Sequence, residues 1–264
     1  MSTATAAPSV LATPRRRFLP SDAVALLFLA AATPLAAWLG IRIGQPLVLP
    51  VITALPAILV FIDRINAGRL GPALGLMVAW AATLAVTIVL ATRWDPAGAA
   101  AAIWRGASYR DEMLAWVRTG VGAEGSPRLF LPQHALHYAL FLVLSAITGG
   151  VAGLVMGAAL VNYMSFYVGS LFLNDTGADD GLRLALMGWP IWSIIRVVGF
   201  VAGGVAMAWL FTTVIRRLKD KPARWPGPAS HYLSLSLALV ILDALLKALL
   251  AHHWQVTLLR ALTH

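Results

Sequence analysis

Residues 129–174, LFLPQHALHYALFLVLSAITGGVAGLVMGAALVNYMSFYVGSLFLN, contain no Asp, Glu, Lys or Arg. As a single α-helix this stretch would measure about 69 Å at the helical rise per residue. The hydrocarbon core of a bilayer is only about 30 Å thick. The length of the stretch therefore predicts two consecutive transmembrane helices, with the turn between them near Gly149 and Gly150.

The same stretch contains a glycine repeat. Gly149, Gly153 and Gly157 recur at every fourth position, a spacing typical of a helix face that packs closely against another transmembrane helix. If all three glycines belonged to one packing helix, a single span would be favoured. Charge placement favours two spans instead. Only then do the basic segments 64–69 and 216–224 lie on the same side of the membrane as the arginine-rich N-terminal segment.

The composition of the whole chain indicates the same class of protein. Of 264 residues, 59% are hydrophobic and 12% are charged, whereas soluble domains are about 45–50% apolar and about 25% charged. Too few polar side chains are present to cover a water-exposed globule of this size. The sequence therefore predicts an all-α, polytopic integral membrane protein, and it argues against an ordinary soluble enzyme, a disordered chain or a nucleic-acid-binding module.

Seven spans are predicted from the charge-free runs. They are residues 23–41, 43–62 and 71–92, two spans within 129–174, and spans at about 184–214 and 231–252. The second span contains Pro46, Pro50 and Pro56. It is interpreted either as a broken helix that lines a cavity, as in transporters, or as a kinked structural helix. The second interpretation is favoured because Pro46 would fall in the first helical turn.

Residues 1–20 are small and polar, contain Pro, and include the run Arg15–Arg16–Arg17, so they are predicted to form a disordered, basic cytoplasmic tail. Residues 21–264 are predicted to form a single transmembrane domain. A basic segment before an apolar run is also typical of a signal peptide. This run is long for one, and further spans follow at once, which favours a retained first helix. The positive-inside rule then predicts a bacterial-type inner membrane and a cytoplasmic N-terminus.

Residues 93–133 are predicted to form an extracytoplasmic loop with short amphipathic helices. Asp95 before Pro96 is a typical helix start, and Ser108 with Asp111 resembles a capping box that would start a second helix. One face of that second helix would carry Tyr109, Met113, Trp116 and Val117. The helix is interpreted as lying in the membrane interface or, alternatively, as a lid over a site or a docking surface.

Three charged side chains fall inside the predicted spans, Arg196, Asp243 and Lys247, and the amide of Asn162 is considered with them. Insertion scales assign a central charge a cost of about 2.5–3.5 kcal/mol. Counted from the outer helix ends, Arg196, Asp243 and Asn162 each lie about 15 Å deep. Two interpretations stay open. In the first, Arg196 and Asp243 form a structural ion pair while Lys247 points outward. In the second, two cations share one carboxylate, and the surplus charge suits an anionic ligand or a coupled proton.

Four histidines are predicted to approach one another at the outer boundary, beside the acidic segment 175–180. His134 and His137 open the fourth span, and His252 and His253 close the seventh. Imidazoles bind Zn, Cu or Ni, and one histidine from each helix would suffice to ligate a haem. The alternative is the ordinary preference of amphipathic side chains for the interface. The chain contains no cysteine, so thiolate sites and Cys nucleophiles are excluded.

No motif identifies catalytic residues, and the sequence requires no cofactor. Three functions are considered. The first is an accessory or scaffold subunit of a larger inner-membrane complex, which fits the glycine-rich packing faces. The second is a small transporter of an anionic or proton-coupled solute that uses Arg196, Asp243 and Lys247. The third is a metal- or haem-binding redox protein that uses the four histidines. The expected partners are the lipid bilayer and other membrane subunits or further copies of the chain.

The seven-span topology predicts the location of reporter fusions. A reporter fused after Lys221 should be active on the cytoplasmic side, and a reporter fused after Asp180 should be active on the external side, because one full span separates these positions. Paired alkaline phosphatase and fluorescent-protein fusions at both positions measure this. Activity on the same side at both positions would contradict the topology.

Overall fold

The computed structural model describes residues 19–174, 180–219 and 227–263. Within these ranges the chain forms ten α-helices and two short 3-10 turns. The α-helices are α1 Asp22–Ile43, α2 Val48–Asn66, α3 Leu70–Trp94, α4 Pro96–Ala102, α5 Gly106–Thr119, α6 Pro127–Thr148, α7 Val151–Leu171, α8 Asp180–Gly188, α9 Ile191–Leu218 and α10 Gly227–Thr263. Nearly all of the predicted tail, residues 175–179 of the acidic segment and residues 220–224 of the basic segment lie outside the described residues.

Seven of these helices are long and apolar enough to cross a membrane: α1, α2, α3, α6, α7, α9 and α10. The predicted fold class, an all-α polytopic bundle with about seven spans, is confirmed. The shorter helices α4, α5 and α8 connect the spans at one end of the bundle, which we call the capped end. We call the opposite end, which contains residues 64–69 and 216–219, the basic end.

The turn between α6 and α7 has the predicted position. Gly149 and Gly150 both have positive φ angles, +65° and +95°, a backbone conformation that favours glycine. A Cβ atom on Gly150 would also overlap the ring of Phe61. The glycine repeat is therefore divided between two roles. Gly149 belongs to the turn, whereas Gly153 and Gly157 lie in α7 facing Phe141 of α6.

The boundaries of the last two spans differ from the prediction. Pro190 has an extended backbone and separates α8 from α9, so the sixth span begins at Ile191 and not near residue 184. Helix α10 continues to Thr263, well past the predicted end at residue 252. Counted from Ile191, Arg196 lies only about 7.5 Å from the end of its helix. The predicted depth of about 15 Å was wrong, and Arg196 lies near the capped end.

Helix α2 is continuous, so its interpretation as a broken helix was wrong. Pro46 precedes the helix, and Pro50 falls in its first turn. Pro56 lies inside the helix without ending it. The buried Thr53 hydroxyl donates a hydrogen bond to the carbonyl of Leu49, 2.9 Å away.

Helices α6, α9 and α10 are joined by a buried hydrogen-bond relay. The Tyr138 hydroxyl of α6 lies 2.8 Å from the Ser236 hydroxyl of α10, and Ser236 Oγ donates to the Gly199 carbonyl of α9 over 2.6 Å. Gly199 and Gly203 let α10 approach closely, because a Cβ at either position would press on α10 side chains. This contact sets the register between α9 and α10 that brings their charged residues together.

A buried arginine at the basic end joins the end of α2 to the start of α1. The Arg64 side chain is fully buried, and its Nε donates to Asp22 Oδ1 over 2.9 Å. Its guanidinium also contacts Asp63 and donates to the Ser21 carbonyl over 3.0 Å. Arg69 binds the second oxygen of Asp22 at 2.6 Å. Residues 64–69 were interpreted only as a basic loop, and their pairing with the start of α1 was not predicted.

Candidate functional site

Arg196 of α9 and Asp243 of α10 form a two-point ion pair. Arg196 Nε donates to Asp243 Oδ2 over 2.8 Å, and Nη2 donates to Oδ1 over 2.9 Å. The Asp243 side chain is 1% exposed and that of Arg196 is 18% exposed. Parallel bonds of this kind fix the orientation of the guanidinium as well as its position.

Lys247 has its own carboxylate. Its Nζ lies 2.7 Å from Glu124 Oε2, in the 3-10 turn Ala123–Gly125 between α5 and α6. The ammonium also lies 4.5 Å from the centre of the Phe130 ring, within cation–π range. Lys247 is completely buried, and its ammonium points to the capped end, as the first interpretation expected, although it meets a carboxylate there. Each cation has its own carboxylate, so the interpretation that two cations share one carboxylate was wrong.

His134 lies between the two ion pairs. Its Nε2 is 3.5 Å from Lys247 Nζ, and its Nδ1 is 3.9 Å from Asp243 Oδ2. The second distance is too long for a hydrogen bond, and Nδ1 has no hydrogen-bond partner among the described residues. Glu124, Lys247, His134, Asp243 and Arg196 therefore follow one another in a row, which we call the ionisable chain.

The ionisable chain is neutral overall when His134 is neutral, since two cations face two carboxylates. Neutrality matters here because an uncompensated charge in a low-dielectric interior costs several kcal/mol even after relaxation. Within the ionisable chain, Glu124 lies nearest to the capped end, and its side chain is 23% exposed. Arg196 lies at the other end of this row of side chains, toward the interior of the bundle.

Helix α5 lies at the capped end, in contact with the 3-10 turn that carries Glu124. Its residues Met113, Trp116 and Val117 are buried, and the helix packs against α7 and α10. It is therefore an amphipathic helix anchored to the bundle. Tyr109 of α5 stacks on Tyr163 at 4.7 Å between ring centres. Burial and the carboxylate of Glu124 raise the pKa of Tyr109 well above its ordinary value, so the phenol is neutral at physiological pH.

The two predicted helix starts in the connecting segment have different outcomes. Asp95 caps α4 as predicted, because its carboxylate accepts a hydrogen bond from the backbone of Gly98 at 2.9 Å. The prediction of a capping box at Ser108 was wrong. Helix α5 begins at Gly106, and Ser108 lies inside it with its hydroxyl donating to the Arg105 carbonyl. Arg105 itself takes a left-handed conformation with φ of 58°.

Asn162 is not hydrogen-bonded to the ionisable chain. It is 2% exposed, and neither its side-chain nitrogen nor its side-chain oxygen has a hydrogen-bond partner among the described residues. Asn162 was predicted to lie at the same depth as Arg196 and Asp243, but it forms no hydrogen bond with either of them.

The four histidines do not form one cluster. His134 belongs to the ionisable chain, His137 is half-buried, and His252 and His253 are exposed on α10. Within residues 19–174, 180–219 and 227–263, no group of three or more His, Cys, Asp or Glu side chains is placed to hold a metal ion. The structure thus gives the metal-ion hypothesis no support in the described part of the chain, and haem ligation by two histidines stays a prediction.

An internal cavity of about 60 Å³ adjoins Arg196. Its walls come from α2, α3, α6, α7 and α9, and they are almost entirely apolar. Ser145 Oγ, completely buried at the wall, has no hydrogen-bond partner among the described residues. Arg196 Nη1 is also free of hydrogen bonds to the described residues, because only Nε and Nη2 bind Asp243.

Comparison of the chain with protein-family models, with curated proteins and with solved structures finds no significant match. What can be said about function therefore rests on the geometry of the ionisable chain and the adjoining cavity. The fold and its seven apolar helices define a multi-pass α-helical membrane protein.

The Glu124–Lys247 pair predicts an asymmetric effect on stability. Glu124→Gln leaves a fully buried ammonium without a counter-ion, which costs about 3–5 kcal/mol in protein interiors. Lys247→Met leaves a carboxylate that solvent partly reaches, so its cost should be smaller, and the double variant should recover part of the loss. Thermal unfolding in detergent measures all three variants.

Glu112→Gln is the matched control for this experiment. Glu112 pairs with Arg105 on the surface, where the two side chains are 60% and 41% exposed. Exposed pairs of this kind contribute at most about 1 kcal/mol. If Glu124→Gln lowers the melting temperature no more than Glu112→Gln does, the Glu124–Lys247 pair does not stabilise the fold.

Proposed function

We propose that this protein is a small proton-coupled transporter of an anionic ligand, in which Arg196 binds the anion and Asp243 carries the proton. The observation that supports this proposal is the position of Arg196. Its guanidinium is paired with Asp243, and among the described residues that line the internal cavity Arg196 is the only one with a charged side chain.

Arg196 can exchange one anion for another. A guanidinium has five N–H donors, and the two bonds to Asp243 use one N–H on Nε and one on Nη2. In this proposal a carboxylate or phosphate in the cavity binds Nη1, which has no hydrogen bond to the described residues, and then competes with Asp243 for the remaining donors. Both anions match the planar geometry of arginine.

Exchange at Arg196 is expected to move a proton. When a ligand anion replaces Asp243 on the guanidinium, two negative charges lie close together in a low-dielectric site, which favours protonation of one of them. Asp243 gains the proton, Arg196 keeps its charge, and the ligand stays anionic. One proton therefore enters with one anion, and the site remains neutral.

The remaining members of the ionisable chain supply a route for that proton. Glu124 is reached by solvent at the capped end and contacts Lys247. Lys247 lies 3.5 Å from His134, which is 3.9 Å from Asp243. In this proposal Lys247 and His134 transfer protons between Glu124 and Asp243, and small side-chain movements close the longer of these distances.

Thermodynamic linkage gives the sign of the pH dependence. The groups that face Asp243 are Arg196 from α9, His134 from α6 and Lys247 from α10, with Glu124 beyond Lys247. If the ligand-bound state holds one more proton than the free state, affinity falls by up to about tenfold for each unit of rising pH. Binding in the absence of proton uptake would be independent of pH.

Octanoate is a suitable probe, because it is a soluble carboxylate with a short apolar chain. Titration of octanoate into the purified protein in weakly buffered detergent should show uptake of one proton for each anion bound. Asp243→Asn, which resembles the protonated side chain, should bind octanoate with no proton uptake and little pH dependence. Calorimetry together with a pH electrode measures both quantities.

Arg196→Gln protein in the same detergent is the control, because it accounts for octanoate that enters the micelle. Its specific binding should fall by at least tenfold, and Arg196→Lys should recover part of it. Unchanged binding in Arg196→Gln, or unchanged proton uptake in Asp243→Asn, would overturn the proposal.

A second candidate function is an accessory or scaffold subunit of a larger membrane complex, associated with other subunits or with further copies of itself. Helix α10 favours this second candidate. The helix has 37 residues and continues beyond the start of α9, and its Leu245 and Leu249 are 55% and 76% exposed. Purification in a mild detergent followed by native mass spectrometry tests this candidate. A stable complex with another chain would favour it, whereas a monomer with coupled octanoate binding would favour transport.

We also propose that the basic end faces the cytoplasm of a cell with a bacterial-type inner membrane. In support, Arg216 of α9 donates to the Asn66 carbonyl over 3.0 Å, so the described parts of the two basic segments lie together at one end. Basic groups concentrated near the ends of spans are typical of the cytoplasmic side. The start of α1 lies at this same end, which agrees with a cytoplasmic N-terminus.

A further inference from the structure

We infer that the ligand is a single-chain anionic amphiphile, and that it reaches Arg196 sideways from the bilayer through a crevice between α3, α7 and α9. The inference rests on the proposed binding of an anion at Arg196. It adds the chemical class of the ligand and its route of entry.

The crevice has a volume of about 220 Å³ and adjoins the internal cavity. The two spaces share five wall residues, which come from the same three helices: Ala81, Val161, Met164, Ser193 and Val197. The crevice is also lined by Val86 and Ile194, which are 49% and 51% exposed. Both residues lie within membrane-spanning helices, so the mouth of the crevice faces lipid.

The lining of both spaces fits an apolar chain with one anionic end. Among the described residues that line them, Arg196 is the only one with a charged side chain. A hydrophilic solute would meet only the hydroxyls of Ser165 and Ser193 and the indole of Trp189 along the crevice, and it would lose most of its hydration there. A hydrocarbon chain loses no hydration when it moves from the lipid into the crevice. In this inference the anionic head group at its end binds Arg196.

The shape of the crevice favours one chain. Its α3 wall carries Val78, Ala82, Ala85 and Val86, at spacings that place them on one helix face. The small side chains of Ala81, Ala82 and Ala85 leave room along this wall, and the volume of about 220 Å³ suits one hydrocarbon chain. Free fatty acids and lysophospholipids share this chemistry, an anionic head on one apolar chain, with carboxylate in the first and phosphate in the second.

The depth of Arg196 supports the same ligand. Because α9 begins at Ile191, the guanidinium belongs to a residue about 7.5 Å from the helix end. An amphiphile that enters from the leaflet at the capped end would therefore have a shorter path to Arg196 than one from the opposite leaflet. Its tail would stay in the hydrocarbon layer or in the crevice.

Photo-crosslinking in proteoliposomes tests the inference with two probes, palmitate and lysophosphatidate, each carrying a diazirine near the end of its chain. Mass spectrometry should locate the crosslinks in peptides of α3, α7 and α9. Arg196→Gln should lower the labelling at these peptides by at least fivefold. Labelling by palmitate alone would identify a fatty acid, and labelling by lysophosphatidate alone would identify a lysophospholipid.

Ala85→Trp fills the crevice from α3 and should reduce this labelling to the level of Arg196→Gln. Ala139→Trp is the matched control, because it adds the same side chain to an exposed alanine of α6 that does not line the crevice. If Ala85→Trp does not fold, Val198→Trp fills the crevice from α9.

The outcomes separate this inference from the proposed function. Labelling that is equal in the wild type, Ala85→Trp and Arg196→Gln would show non-specific contact with lipid and would overturn the inference. If octanoate still binds with proton uptake in that case, the proposed function stands and only the lateral entrance and ligand class are wrong. If the wild type shows no coupled octanoate binding either, both are wrong.

Discussion

A guanidinium and an ammonium buried among membrane-spanning helices have to meet carboxylates at contact distance, and this constraint governs the capped half of the molecule. Arg196 satisfies it through the two oxygens of Asp243, and Lys247 satisfies it through Glu124. The first pair joins α9 to α10, and the second joins α10 to the turn before α6. His134 fills the space between them, so one neutral row of side chains connects four segments of the chain.

Much of the fold could be predicted from the sequence, because the bilayer imposes a length on every charge-free stretch. Residues 129–174 were long enough for two spans, and Gly149 and Gly150 marked the turn between them. Absence of charge is a poorer guide to where a helix ends. Pro190 has an extended backbone and separates α8 from α9. Helix α10 continues to Thr263 because no proline or glycine interrupts it beyond residue 228.

The site was predicted only in part, for a physical reason. Arg196 and Asp243 were compared by depth, and although the depth of Arg196 was wrong, the two side chains meet because α9 and α10 are neighbours packed closely at Gly199 and Gly203. Glu124 could not be assigned to Lys247, since its position depends on how the whole connecting segment folds over the bundle. The histidines carried no signal that separated His134, which enters the ionisable chain, from the exposed His252 and His253.

The most direct test of the account is a double-mutant cycle on Arg196 and Asp243, measured as thermal unfolding in detergent. Arg196→Gln leaves a carboxylate that is 1% exposed and should cost about 3–5 kcal/mol, while Asp243→Asn should cost somewhat less because the Arg196 side chain is 18% exposed. The double variant should be clearly more stable than the sum of the two losses implies. Strictly additive losses would mean that the two residues are not coupled and would contradict the account.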